Sequence, residues 1–174
     1  KDDFMNASLG IGFVNIEPDP DGVLRRLPII SEVNGMLAPH FFLRLLSEHV
    51  GYELSQLELI DNHTLILRNF PFENTYRDIS IPLDGKGNML INFISSEKIN
   101  KQKRNGEFNL LSAWALYNSD RPPDLKGKTI IFGDHSAAAK DYNLTPIDRT
   151  QYNPMIFAMA MSNILNRTFI YSYD

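Results

Sequence analysis

The 174-residue chain contains no cysteine, which removes disulfide frameworks, thiol nucleophiles and cysteine zinc sites together. The redox compartment stays open, because a chain without thiols is safe in an oxidising space and ordinary in a reducing one. No apolar run reaches the roughly 18–20 residues that a spanning helix needs. Basic charge is not in excess. The 17 Lys and Arg against 21 Asp and Glu give a formal net charge of −4, which argues against a nucleic-acid binder. No signal peptide opens the chain, and Lys1 stands where an initiator methionine would, so the sequence reads as an excised soluble piece of something longer.

What is present is globular. Apolar residues make up 43% and charged residues 22%, and 11 Phe with 7 Tyr exclude disorder for the bulk of the chain. A chain of this size buries roughly 70% of its unfolded surface, enough for a core without metals or cross-links. Ile11 to Glu17 alternates as a strand, Pro18-Asp19-Pro20-Asp21-Gly22 turns, and Val23 to Val33 returns, so the two read as a hairpin. Pro39 to Val50 reads as a helix closed by Gly51. Leu57–Ile60 with Thr64–Arg68, and Ile79–Leu83 with Met89–Ile94, read as two more hairpins. A helix is expected behind Asn109, with Leu110, Leu111, Trp114 and Tyr117 recurring at helical spacing. Thr129 to Phe132, between two glycines, reads as a buried central strand. The last helix starts at Asn153-Pro154, and Thr168 to Tyr173 closes as a strand. The expected fold is α/β, with α+β as the alternative: one domain over residues 1–174, a mixed and largely antiparallel sheet, and about three helices. Phe13, Leu45, Leu46, Leu90, Trp114, Ile131, Phe157 and Ile164 are the expected core.

Catalytic chemistry finds no support in these residues. Asp134-His135-Ser136 holds the residue types of a hydrolase triad, but adjacent side chains diverge where a triad needs a linear relay, and no G-x-S-x-G occurs. His40 and His49 fall on opposite sides of a helix, and no metal motif is complete, so no metal and no cofactor are expected. Gly133 to Lys140 lacks the second glycine and the Lys-Ser/Thr of a phosphate loop. On a strand Arg25 and Arg26 face opposite ways. One can pair with Asp19 or Asp21 while the other points into the fold or a cleft. The long loop from Asp134 to Thr145 leaves the carboxyl end of the expected Thr129–Phe132 strand, where open sheets form crevices. His135, Asp141 and Thr145 are therefore candidate ligand contacts. The competing reading is that Asp141 and Thr145 only bond their own loop's backbone.

Taken in order, several segments resemble one family. Gly12-Phe13-Val14-Asn15, followed by Asp19-x-Asp21-Gly22-x-x-Arg25-Arg26-x-Pro28, resembles a central stretch of the CHASE2 sensory domain. Leu83-x-x-x-Gly87-x-Met89-Leu90-Ile91-Asn92-Phe93 resembles the next block, and Gly127-Lys128-x-Ile130-Ile131-Phe132-Gly133 with Asp141-x-x-x-Thr145-Pro146 the one after. The helix ending Ala158 to Leu165 resembles the final segment. The likeness runs from about residue 4 to residue 171 and covers the C-terminal half to two-thirds of the family domain. Phe157 stands where the family usually has a histidine.

The resemblance implies an extracytoplasmic input module of a bacterial transmembrane receptor, with a cyclase or kinase as output and no catalysis of its own. It adds Asn15, Arg25 and Asn92 as second-choice contacts. The implied partners are an unidentified small-molecule or protein ligand, a second copy through the full-length receptor, and a membrane reached by helices outside this chain, with no nucleic acid. An α/β enzyme of hydrolase or transferase type, with its site at the 134–145 loop, is the alternative.

Overall fold

The computed structural model describes residues 6–95, 97–98, 111–134, 136 and 141–172. Two helices carry the core. The first, α1 (Phe41–Val50), begins where His40 is extended and its imidazole Nδ1 accepts the Phe42 N–H at 3.3 Å. It ends at Gly51, whose φ of +69° suits a residue without Cβ. Phe42, Leu43, Leu46 and Ser47 line its buried side. The last helix, α3 (Asn153–Asn166), tolerates Pro154 in its first turn, where no N–H is needed. It buries Ile156, Phe157, Met159, Ala160, Met161, Asn163 and Ile164, so it is apolar almost all round and packs as a central helix. α1 packs against it.

Strands β1 (Arg26–Pro28) and β7 (Asn88–Leu90) pair with Leu27 opposite Met89. β2 (Ile30–Val33) and β3 (Met36–Pro39) form a ribbon across Asn34-Gly35, and β8 (Tyr142–Asn143) pairs with β9 (Gln151–Tyr152). β4 (Leu57–Asp61), β5 (Thr64–Phe72) and β6 (Thr75–Pro82) make a three-stranded sheet. Every one of these pairs is antiparallel. Along β5 the buried residues Leu65 and Leu67 keep the two-residue period. A bulge at Asn69 (φ +51°) then resets it, so that Phe70 faces the core. The buried side chains of strands and helices form one hydrophobic cluster. The α/β expectation, with largely antiparallel pairing and three helices, holds; the third helix is the five-residue α2 (Ala113–Tyr117).

Several element-level expectations change. Phe13 does not pair with Val23–Val33. It bridges His40 in parallel, and Val23–Val33 divides between β1 and β2. The turn does close, with Asp19 N–H donating to Val23 O at 3.0 Å, but Pro18 and Pro20 have no N–H to extend a ladder. β6 and β7 pair not with each other but with β5 and β1, so the hairpin expected across Asp84–Asn88 exists only as a turn. The hairpin joining β5 to β6 was not anticipated. Thr129 to Phe132 is no strand: Ile130 is 58% and Phe132 84% exposed, with Ile131 half-buried between them. An apolar run becomes a sheet strand only where a neighbour pairs with it. Here the segment instead crosses the start of α3, close enough that a Cβ on Gly133 would meet the Pro154 ring at 2.3 Å. Residues 168–172 form no strand.

Of the expected core, Leu46, Phe157 and Ile164 are buried, and Phe13, Leu45, Leu90 and Ile131 are half-buried. Trp114 is 76% exposed. Its helix is capped by Ser112 and lasts too few turns to bury a stripe. Asn109, the expected cap, lies outside the described residues. Leu46→Ala removes packing at the α1–α3 contact and is expected to cost about 2–5 kcal/mol in denaturant unfolding. Trp114→Ala is expected to change stability by less than about 0.5 kcal/mol.

Candidate functional site

Arg25 and Arg26 share Asp19 but otherwise take different partners. Arg25 forks onto Asp21, with Nη1 to Oδ1 at 2.9 Å and Nη2 to Oδ2 at 2.7 Å, and reaches Asp19 Oδ2 at 2.9 Å. Asp21 also accepts the Val23 N–H, and these two partners hold its carboxyl down at about 2. Arg26 donates to Asp84 Oδ2 at 2.7 Å and lies 3.3 Å from Asp19 Oδ1. Asp84 is 3% exposed. Burial pushes its pKa up, but the Arg26 guanidinium and the donors of Asn88 and Lys86 outweigh burial and hold it below the usual carboxylate range. Its Oδ1 accepts the backbone N–H groups of Lys86 and Asn88 at 2.9 and 2.8 Å, which shapes the turn into β7. A chain of charges thus joins the 19–22 turn to the 84–88 turn across the β1–β7 pair.

The 141–145 segment adjoins this network. Leu24 N–H donates to Leu144 O at 2.7 Å, which places Arg25 and Thr145 on neighbouring strands of chain. Thr145 is buried, and its Oγ1 both donates to Asp148 O and accepts the Asp148 N–H, each at 3.1 Å. Asp141 Oδ1 accepts Asn153 Nδ2 at 2.6 Å, and its carbonyl accepts the Asn153 N–H at 3.1 Å. Asn153 Oδ1 in turn accepts from Asn143. The loop's far end is therefore fastened to the first residue of α3. His135 lies outside the described residues. Asp134 caps its own turn through Ser136 N–H.

The remaining candidates sit elsewhere. Asn92 exchanges bonds with the side chain of Asn163: its N–H donates to Asn163 Oδ1 at 2.8 Å, and its carbonyl accepts from Asn163 Nδ2 at 3.2 Å. Asn92 Nδ2 also reaches Thr168 O at 3.3 Å, so the segment after β7, the core face of α3 and the chain after α3 meet around the buried amide of Asn163. Asn15 is exposed and lies in the N-terminal segment that passes His40. The structure thus brings Arg25, Asp141 and Thr145 onto adjacent segments, sets Asn92 on Arg25's other side, next to Ile91, whose N–H donates to Arg25 O at 2.9 Å, and leaves Asn15 apart from them. Two surface grooves run along α1, one of them lined by Leu9, Ile11, Phe41 and Leu45.

Sequence pattern alone assigns no bracing role to Asp84, Asn153, Asn163 or His40. Asn163 had a signal, since one amide inside an otherwise apolar helix face has to find a partner. His40 was weighed only as a ligand. It is fully buried, with ring centroids of Phe42, Phe13 and Phe157 at 4.8, 4.9 and 5.1 Å. Nδ1 accepts from the helix, which fixes the neutral Nε2–H tautomer. Nε2 faces the Asn15 backbone but makes no hydrogen bond of normal geometry. Burial lowers its pKa to about 4. His49, at the other end of α1, contacts Thr129 Oγ1 at 2.7 Å, and no group of three metal-ligating side chains occurs among the described residues.

A family model described as the CHASE2 domain matches residues 2–173. The chain belongs to the CHASE2 domain family, whose members are extracytoplasmic sensory domains rather than enzymes. The searches of curated proteins and of solved structures return no match.

Two outcomes follow from this geometry. His40 is neutral in the fold and binds its proton more readily when unfolded, so its contribution to stability is present above pH 6.5. That contribution is lost as the pH falls from 6.5 through about 4, by up to about 3 kcal/mol. Chemical denaturation from pH 7 to pH 4 measures this, and His40→Asn, which keeps a helix cap without a titrating ring, is expected to flatten that part of the profile. Thr145→Val leaves the Asp148 N–H without its side-chain acceptor and is expected to lower stability by about 1–3 kcal/mol in the same assay.

Proposed function

We propose that this sensory domain is the input module of a bacterial transmembrane signalling receptor whose output is a nucleotide cyclase or a sensor kinase. The observation that carries the reading is the family match over residues 2–173. The braces around the candidate contacts supply a way for a ligand to act. A ligand that engages Asp141 or Asn92 competes with a bond that already holds two segments together, and one that engages Arg25 or Thr145 competes with a bond that braces its own turn. Occupancy then changes the relative stability of two arrangements of the scaffold, which is the requirement for a binding event to shift a conformational equilibrium.

α3 is the rigid element that connects these contacts to the chain beyond them. Its first residue, Asn153, is bound to Asp141, and Asn163 near its end is bound to Asn92 and neighbours Thr168. A 14-residue helix is roughly 20 Å long, so a displacement at the loop is delivered that far away without the helix itself deforming. In this reading the segment after Thr168 leads to a membrane helix, and the output domain reads the position of that helix.

The test uses the full-length receptor. A reporter enzyme active only outside the cytoplasm, inserted at residue 172, is expected to be active. Asn153→Ala is expected to change cyclase or kinase output at least severalfold per folded molecule while the domain still folds. A reporter active only in the cytoplasm, or an output unaltered by deletion of residues 6–172, would overturn the reading.

A further inference from the structure

Arg77 of β6 and Arg167 at the end of α3 are far apart in sequence yet meet on one aromatic ring. Their guanidinium carbons lie 5.1 and 4.7 Å from the centroid of Phe72. The bulge at Asn69 makes the meeting possible, because β5 continues past its last residue paired to β4 and carries the hairpin tip to the end of α3. Both arginines are exposed, and among the described residues no carboxylate stands within ion-pair distance of either. Arg25, Arg26, Arg44 and Arg68, by contrast, are all paired to Asp or Glu. The face of Phe72 attracts both cations, but they repel each other and have no anion. Glu73 is the single acidic residue between Phe70 and Arg77, and none lies between Asn166 and Ser172.

Exposed aromatic and apolar side chains stand beside both arginines in sequence. Tyr76 is 74%, Tyr171 62% and Ile170 42% exposed. Arginine beside exposed tyrosine is the composition that settles at a bilayer surface. The cations meet phosphate, and the tyrosine rings sit at headgroup level with their hydroxyls in water.

We propose that the β5–β6 tip and the segment after α3 form one surface that rests on an anionic lipid bilayer, with Arg77 and Arg167 on headgroup phosphates and Tyr76 and Tyr171 in the interface. This rests on the reading above, in which a membrane helix follows the chain. Contact there gives the end of α3 a fixed support, against which movement at its Asn153 end is turned into rotation.

The 174-residue chain is sedimented with vesicles of phosphatidylcholine alone and of phosphatidylcholine with phosphatidylglycerol. Binding to the anionic vesicles is expected to exceed binding to the neutral ones and to fall with salt. Arg77→Gln with Arg167→Gln is expected to weaken it about tenfold or more. Arg77→Lys with Arg167→Lys is expected to keep most of it, and circular dichroism checks that each variant folds. The proposal is overturned by absence of binding to anionic vesicles, by equal binding to neutral ones, by indifference to the Gln pair, or by displacement with millimolar inorganic phosphate, which would mark a site for a free anion. The reporter at residue 172 does not depend on these arginines. A failed vesicle result with an active external reporter removes this surface alone, whereas a cytoplasmic reporter removes the receptor reading itself.

Discussion

A helix that is apolar almost all round has to be covered on every side, and α3 imposes that demand on the rest of the structure. Ile156, Phe157, Met159, Ala160 and Ile164 are buried, and a stripe of Met155, Ala158, Ser162 and Asn166 stays partly open. α1 covers one side, the residues after β7 another, and the 141–152 segment closes over its start. Such packing leaves polar backbone in places where water cannot reach, and the asparagines answer this. Asn163 stands in for a strand neighbour of Asn92, and Asn153 ties the loop that crosses the helix entrance. Each amide supplies a donor and an acceptor at once, which a carboxylate or an ammonium does not.

Charge serves a different purpose from solubility here. The buried carboxylate of Asp84 has Arg26 on one oxygen and two backbone N–H groups on the other, so its desolvation is offset on both sides. The pair adds less net stability than an apolar substitute of the same shape would, but it admits one mutual placement of the 19–22 and 84–88 turns. Arg68 bridges Glu58 and Asp78 across the exposed face of the three-stranded sheet, where solvent leaves such pairs worth little. Conformational definition, rather than stability, is what the Arg26–Asp84 pair contributes.

For a sensory domain this arrangement has a consequence. The polar side chains near the 141–145 segment are engaged in holding segments together, and an engaged bond can be exchanged for one to a ligand. An idle side chain offers affinity alone. A braced one offers affinity coupled to movement, because its release frees the segment it held. His40 marks the opposite regime. Its ring is enclosed by three phenylalanines and caps α1, and no charged group takes part in that enclosure, so it holds the junction of the N-terminal segment, β3 and both long helices in one state at neutral pH.

Local chemistry was readable wherever a few neighbouring residues decide it. The Asp-Gly turns, the Gly51 cap, the proline start of α3, the β4–β5 hairpin and the residue segments of the family were all legible, because each depends on positive φ, a missing N–H or a two-residue period within a short window. The antiparallel α/β character followed from these. What lay beyond reach was which strand neighbours which. The 84–88 turn looks the same whether β6 pairs with β7 or, as it does, with β5. The apolar run at 129–132 looks the same whether a sheet accepts it or it passes over α3. The partners of the site residues were likewise hidden, since Asp84 lies 58 positions from Arg26 and Asn163 71 positions from Asn92. Turn and cap energies are fixed by contacts a few residues apart. Strand pairing and buried polar bonds are chosen among many distant alternatives of similar local energy, and only the packing of the whole chain around α3 decides between them.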